Sequence, residues 1–168
     1  MIATQERGHP PALSFKADQE FFHSSLDRAA ALVHGRHSHE GGPRAGGRRR
    51  LVLTSRIATT APDASYPHAL LWNPAGTPLD EALRALGVAD GMVAVIGGTD
   101  VFGLFLGIGY DAFHLTRASK VRLPGGRGVF PGVPERTPEA ILAEAGLRAG
   151  PVRVLDAQAD LTLITWER

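Results

Sequence analysis

The stretch Val93–Leu106, VAVIGGTDVFGLFL, carries the strongest indication of the fold. A short apolar run, Gly91–Ile96, is typical of a strand buried on both faces of a parallel sheet. It leads into Gly97-Gly98 and then into the apolar segment VFGLFLGIG, which we predict to be a helix. A helix that begins at such a turn offers unpaired N–H groups to an anion. The stretch therefore predicts an α/β fold with a possible ligand-binding turn, although glycine pairs also occur at such turns for packing alone.

Strand and helix patterns alternate along the rest of the chain. Further strands are predicted over Arg50–Ser55, His68–Trp72, Asp111–Arg117, Val152–Leu155 and Leu161–Trp166. Further helices are predicted from Asp18 to about Leu32, from an N-cap at Thr77 with Pro78 as first helical residue to Leu86, and from an N-cap at Thr137 to about Ala145. Such alternation predicts a mostly parallel central sheet with helices on both faces. The last two strands have no helix between them, so we expect an antiparallel C-terminal edge.

Composition excludes several classes of protein. The 168 residues are 43% hydrophobic and 21% charged, so we expect one folded domain spanning residues 1–168. A net charge of +1 argues against binding nucleic acid by bulk charge, and no apolar run is long enough to span a membrane. The chain has no cysteine, and its histidines His34, His37 and His39 lack a recognised metal-binding spacing, so we expect no metal. Without a secretory signal, we expect a cytoplasmic monomer or homodimer that acts on a small molecule.

Two further turns resemble the Gly97-Gly98 turn in chemistry. Gly35-Arg36-His37-Ser38 follows the apolar stretch AALVH, and Thr54-Ser55-Arg56 ends a predicted strand. Ligands of open α/β sheets bind beyond the carboxyl ends of the strands. Three anion-binding turns at one sheet edge suit a dinucleotide, and the arginines suit a 2′-phosphate. The cofactor predicted on this basis is NADPH rather than NADH.

Six motifs occur in an order that resembles the dihydrofolate reductase family. They are ADQEFF (17–22), VHGRHSHE (33–40), GGRRRLVLTSR (46–56), VIGGTDVF (95–102), FHLTR (113–117) and VFP (129–131). The resemblance implies a three-layer dihydrofolate reductase-like fold. It also implies an NADPH-dependent reductase of a dihydropterin, in which hydride passes from the nicotinamide to the pterin imine carbon and gives the tetrahydropterin.

The resemblance also assigns roles to individual residues. Asp18, which otherwise could be an ordinary acid in the first turn of a helix, would bind the pterin, and Thr116 would support that carboxylate, so the two would form the catalytic pair. Phe22 would pack on the pterin, and Arg48 would hold the glutamate carboxylate of a folate. The residues implied in cofactor binding are Gly35, Arg36, His37, Ser38, Thr54, Ser55, Arg56, Gly97, Gly98, Thr99, Asp100 and Phe102.

The sequence departs from the family's pattern at HSHEGG (37–42), which follows the first phosphate-binding turn, at Pro10–Lys16 and ahead of Asp18. Pro10–Lys16 lacks the tryptophan that usually precedes the acid, which leaves open a substrate such as dihydromethanopterin. The alternatives to a dihydropterin reductase are a pyrimidine reductase of riboflavin synthesis and a protein that binds NADPH or a pterin without turnover. Only 17 residues precede Asp18, where the family has an apolar first strand, so we expect that strand to be missing or stunted.

Overall fold

The computed structural model describes residues 11–38 and 44–168 of the chain. Contacts divide it into two compact units, which we call the parallel-sheet unit (Ser24–Val101) and the antiparallel-sheet unit (Met1–His23 with Phe102–Arg168). Two helices include a boundary between the units: α1 (Lys16–Leu26) and α3 (Thr99–Ile108). In the part of the chain that the structure describes, no helix is long and apolar enough to cross a membrane.

The parallel-sheet unit is built on five strands and the helix α2 (Leu79–Ala85). The strands are β1 (Ala31–Gly35), β2 (Arg50–Leu53), β3 (Thr60–Pro62), β4 (Ala69–Trp72) and β5 (Val93–Gly97). Their order in the sheet is β3-β4-β2-β1-β5, and only β3 runs antiparallel to its neighbour. Val33 of β1 is in register with Leu51 on one side and Val95 on the other, and is fully buried. Strands β1 and β2 are buried along almost their whole length, as is typical of parallel strands with both faces covered.

The antiparallel-sheet unit contains three strands and the helix α4 (Pro138–Glu144). The strands β6 (Ala112–Ala118), β7 (Arg148–Asp156) and β8 (Leu161–Glu167) pair in the order β6-β8-β7. Phe113, Phe130 and Tyr110 form an aromatic cluster, with centroid distances of 5.0 Å from Phe113 to Phe130 and 5.2 Å from Phe113 to Tyr110. The Tyr110 hydroxyl donates a hydrogen bond to the Phe102 carbonyl at 3.0 Å, which satisfies the polar end of a buried ring.

The structure confirms the predicted fold class, a mostly parallel sheet with an antiparallel C-terminal part. The antiparallel strands form a sheet of their own, however, and are not an edge of the larger one. The helix cap at Thr137 is also confirmed, since its hydroxyl oxygen accepts a hydrogen bond from the Ala140 N–H at 3.2 Å.

The main differences from the predicted elements are the end of one helix, the cap of another and a strand that was missed. The helix predicted from Asp18 to Leu32 ends at Leu26, and Ala31–Gly35 is β1. Periodicity could not separate the two, because a strand buried on both faces has the same unbroken apolar run as a buried helix. At α2 the N-cap is Pro78, not Thr77, and no side chain caps the helix. The short edge strand β3 was missed because proline at its end is unfavourable in a ladder.

The prediction of a missing or stunted first strand falls on residues 1–10, which lie outside the described residues. In the described part of the chain, β5 and β6 are edge strands of their respective sheets.

Candidate functional site

The three predicted anion-binding turns lie at one edge of the parallel sheet. Strands β5, β1 and β2 are parallel neighbours, so the turns that follow them emerge side by side. We call these turns, residues 35–38, 54–56 and 97–100, the carboxyl edge. Every predicted cofactor residue except Phe102 belongs to it. The sequence prediction that these turns share one sheet edge agrees with the strand order.

The turn after β5 comes close to the turn after β1. Gly97 has φ of +100°, a left-handed conformation that favours glycine. A Cβ placed on Gly98 would lie 3.1 Å from the Ser38 Oγ, so the missing side chain leaves a cradle beside that hydroxyl. Helix α3 begins at Thr99, where its first N–H groups add partial positive charge. This combination fits the pyrophosphate of a dinucleotide.

The side chains of the carboxyl edge add positive charge and hydroxyl groups. Arg36, His37, Ser55 and Arg56 are exposed, while Thr54 is buried. The Thr54 Oγ1 accepts a hydrogen bond from the Arg56 backbone N–H at 3.2 Å, which closes the turn after β2. Exposed guanidinium groups beside backbone turns match the requirements of phosphate recognition.

A cavity of about 250 Å³ adjoins the carboxyl edge at Arg36. It is lined by His34, Arg36, Val52, Asp63, Ser65, Tyr66 and Leu71. The guanidinium carbon of Arg50 lies 4.5 Å from the centroid of the Tyr66 ring, a cation–π contact. Arg50 Nη1 lies 3.3 Å from His34 Nε2, and His34 Nδ1 lies 2.9 Å from the Gly35 carbonyl oxygen. With Nδ1 carrying the proton, a neutral His34 satisfies both contacts and connects Arg50 to the first residue of the carboxyl edge.

Asp18 and Thr116, the predicted catalytic pair, meet in the antiparallel-sheet unit. The Thr116 Oγ1 donates a hydrogen bond to Asp18 Oδ1 at 2.8 Å. Asp18 stands in the first turn of α1, and Thr116 lies on β6 in register with Leu163 of β8. Among the described residues, Thr116 is the only hydrogen-bond donor to this carboxylate, so Oδ2 has capacity to accept from a ligand.

Phe21 also contacts β6 and β7, and the sequence analysis did not predict these contacts. Its ring centroid lies 5.1 Å from that of His114 on β6, in an edge-on arrangement, and the Arg153 guanidinium of β7 lies 6.0 Å from it. Asp18 and Phe21 are three residues apart in α1, one helical turn, and both contact β6. Their i, i+3 spacing in the sequence could have predicted that Phe21 lies on the same face of the helix as Asp18. Phe22, predicted to pack on the substrate, is half-buried, and its ring lies beside His23 at 5.4 Å.

Phe102 belongs to the aromatic cluster of the antiparallel-sheet unit. Its ring lies 5.5 Å from Phe113 and 6.3 Å from Phe130. The residue is half-buried, so part of the ring remains accessible.

Arg48, predicted to clamp a substrate carboxylate, is already engaged. Its Nη2 donates a hydrogen bond to Asp27 Oδ1 at 2.6 Å, and Arg44 binds the other oxygen of the same carboxylate at 2.8 Å. The Arg48 side chain is only 13% exposed. A substrate carboxylate would therefore have to share this guanidinium with Asp27.

Replacing Asp27 by asparagine should lower stability at neutral pH but not at strongly acid pH. The hydrogen bond from Arg48, with the charge of Arg44, holds the pKa of Asp27 below its ordinary value. Its ionised form therefore stabilises the fold above about pH 4, the ordinary pKa in an unfolded chain, and this stabilisation is lost as the pH falls further. Thermal melts of wild type and Asp27→Asn at both pH values test this. Asp80→Asn, which breaks an exposed pair with Arg84, is the control and should have little effect at either pH. Equal melting temperatures of wild type and Asp27→Asn at neutral pH would contradict the ion-pair account.

No three histidine, aspartate or glutamate side chains within residues 11–38 and 44–168 are placed to hold a metal ion. His39, one of the three histidines considered from the sequence, lies outside that range.

Comparison with known proteins shows the fold but not a family. No family model matches the chain, and no curated protein matches it. Among solved structures, it is similar to the diaminohydroxyphosphoribosylaminopyrimidine deaminase/5-amino-6-(5-phosphoribosylamino)uracil reductase of Thermotoga maritima. The two are 15% identical with a TM-score of 0.61, over 98% of this chain and 52% of that one. The chain thus spans about half the length of that protein, and the likeness confirms the predicted dihydrofolate reductase-like fold.

Proposed function

We propose that the chain is an NADPH-dependent reductase whose substrate contains a pyrimidine ring. The observation that carries the proposal is the carboxyl edge, where the turns after three adjacent parallel strands present glycines, hydroxyls and two arginines. The similarity in fold to a protein named as a reductase gives it further support.

NADPH, when bound, supplies the hydride for the reaction. On this proposal, the Gly98 cradle beside Ser38 and the first turn of α3 bind the pyrophosphate. Arg36 and Arg56 pair with phosphate oxygens, and the 2′-phosphate is their target in the adenosine half of the cofactor. The protein then contributes position and charge, since the cofactor itself carries the reducing electrons.

The Asp18 carboxylate is proposed to bind the pyrimidine ring of the substrate. Thr116 occupies Oδ1, and Oδ2 is free to accept an N–H of the ring or of its amino group. In the reduction, the carbon of a C=N bond, in a dihydropterin or in the open-chain imine form of a ribosylamine, would accept hydride, and its nitrogen would accept a proton from solvent, leaving NADP⁺. Asp18 would hold the pyrimidine ring through this hydrogen bond to Oδ2.

Two substrates have specific support. The comparison favours the substrate of a pyrimidine reductase, because the Thermotoga maritima protein is named as a reductase of 5-amino-6-(5-phosphoribosylamino)uracil. The hydrogen-bonded pair of Asp18 and Thr116 favours a dihydropterin, as the resemblance to dihydrofolate reductases implies. Because Asp27 already engages Arg48, a dihydropterin without the benzoyl-glutamate tail, such as dihydromethanopterin, is favoured over dihydrofolate.

Parallel assays distinguish these possibilities. The purified chain is mixed with NADPH and, in separate reactions, with 5-amino-6-(5-phosphoribosylamino)uracil, dihydrofolate or dihydromethanopterin, and the loss of NADPH absorbance is followed. We expect either 5-amino-6-(5-phosphoribosylamino)uracil or dihydromethanopterin to be turned over faster than dihydrofolate. Tight NADPH binding without turnover of any of the three would contradict the enzymatic proposal and favour a protein that binds the nucleotide only.

A further inference from the structure

The turn between β4 and α2 binds two carbonyl groups of the loop that follows β2 and lies close to a third. The Asn73 Nδ2 donates a hydrogen bond to the Ile57 carbonyl at 2.7 Å, and the Asn73 backbone N–H donates to the Thr59 carbonyl at 2.8 Å. Between them, the Ala58 carbonyl oxygen approaches Gly76 so closely that a Cβ there would lie 1.8 Å from it. The loop after β2 is therefore fixed by the segment Asn73–Gly76.

Hydrogen bonds hold the backbone on both sides of the dipeptide Ser55-Arg56 of the carboxyl edge. On the amino side, the Thr54 N–H donates to the Trp72 carbonyl at 2.9 Å, and Trp72 is buried. On the carboxyl side stands the hydrogen bond from Asn73 to Ile57. The backbone of Ser55 and Arg56 is therefore hydrogen-bonded on both sides to the end of β4, through Trp72 and Asn73. An exposed arginine on a backbone held in this way has fewer positions to search than one on an unanchored loop.

The amide of Asn73 has a defined orientation. Its Oδ1 accepts a hydrogen bond from the Ala75 N–H at 3.1 Å, so its nitrogen must face the Ile57 carbonyl. Aspartate would keep the contact with Ala75 but would place an oxygen against the Ile57 carbonyl oxygen. At this position asparagine therefore supplies a side-chain donor that aspartate lacks.

We infer that Asn73 is a positioning residue that holds Arg56 for the 2′-phosphate of the nucleotide, and so sets a preference for NADPH over NADH. The inference rests on the proposed function, because Arg56 has this role only if the carboxyl edge binds NADPH. Asn73 itself acts through the loop and not by contact with the cofactor.

The test measures the dissociation constants of NADPH and NADH for the full chain by fluorescence titration. For wild type we expect tighter binding of NADPH. In Asn73→Asp the ratio of the two constants should shift toward NADH by about tenfold, the effect of losing one charge-assisted contact to phosphate. The affinity for NADH, which has no 2′-phosphate, should stay within about twofold of wild type.

Controls separate this specific effect from general loss of stability. Gly87→Ala introduces strain at a left-handed glycine of the same unit, where the new Cβ would have no atom within 4 Å, and should leave the nucleotide ratio unchanged. If Asn73→Asp does not fold, Asn73→Ala removes the same donor without the repulsion. In an Arg56→Ala background, neither substitution at Asn73 should change the ratio further, since the contact it positions is gone.

Each outcome decides between the claims. If wild type prefers NADPH and folded variants of Asn73 keep that preference, the inference is overturned and the proposed function stands. If wild type binds NADH as tightly as NADPH, no 2′-phosphate contact exists to be positioned and the inference fails, while a reductase using either nucleotide remains. If wild type binds neither nucleotide, the proposed function and the inference fail together.

Discussion

Replacing Asp18 by asparagine should lower kcat/KM for NADPH-dependent reduction by about a hundredfold to a thousandfold. The carboxylate combines a negative charge with two acceptor oxygens, of which Thr116 uses one. Asparagine keeps the shape and can still accept from Thr116, but it removes the charge and turns one acceptor into a donor. The N–H groups of a pyrimidine ring would then face another donor. Steady-state kinetics with the substrate identified by the parallel assays provides the measurement.

Two other variants show whether the effect belongs to this carboxylate. Glu20→Gln removes an exposed acid two residues further along α1, where it pairs with Lys16 at 3.7 Å, and should leave the rate unchanged. Thr116→Val should lower kcat/KM by only about tenfold, since it removes one supporting hydrogen bond and leaves the charge in place. Circular dichroism and thermal melts establish that all three variants are folded. A folded Asp18→Asn with wild-type kcat/KM would remove Asp18 from the substrate site.

Replacing Gly76 by alanine should destabilise the parallel-sheet unit by about 3 kcal/mol or more. The new Cβ would lie 1.8 Å from the Ala58 carbonyl oxygen and 2.9 Å from its carbonyl carbon. Both are main-chain atoms, so no side-chain rotation relieves the clash and one of the two loops must move. We expect the melting temperature to fall by about 6–12 °C. Urea titration of the full chain gives the free energy of unfolding directly.

The matched control for Gly76→Ala is Gly46→Ala. Gly46 lies in the short 3₁₀ turn Ala45–Gly47, is exposed, and has no atom within 4 Å of the position that a Cβ would occupy. Its substitution should change the free energy of unfolding by less than about 0.5 kcal/mol. Equal stability of the two variants would show that the loop after β2 is not packed against the Asn73–Gly76 turn.

The fold could be predicted from the sequence where local signals agree with the final environment. Val93–Gly97 is bounded by glycines and followed by an apolar helix, so its role as a parallel strand was readable. The strand at Ala31–Gly35 could not be predicted, because the apolar residues Ala29–Val33 suit a helix and a buried strand equally. Only the pairing of β1 with both β2 and β5 decides between them, and pairing is a tertiary property.

The candidate site could be predicted only in part, for a similar reason. The turns of the carboxyl edge are local motifs, and the strand order that joins them follows from a parallel α/β sheet. Asp18 and Thr116 are 98 residues apart, and no spacing rule predicts that they meet. Their pairing was predicted only from the resemblance to dihydrofolate reductases. The bonds from Arg48 to Asp27 and from Asn73 to Ile57 span 21 and 16 residues between loops, and no sequence pattern signals them.

Transfer of deuterium from NADPH labelled at C4 of the nicotinamide tests the central claim most directly. The full chain is incubated with the labelled cofactor and with each of the three substrates, and the products are examined by mass spectrometry. The proposed reaction predicts that the product of the substrate that turns over gains one deuterium when the transferred position is labelled, with one NADP⁺ formed per product. A product that forms without deuterium from either labelled face of the nicotinamide, or no product from any of the three substrates, would contradict it.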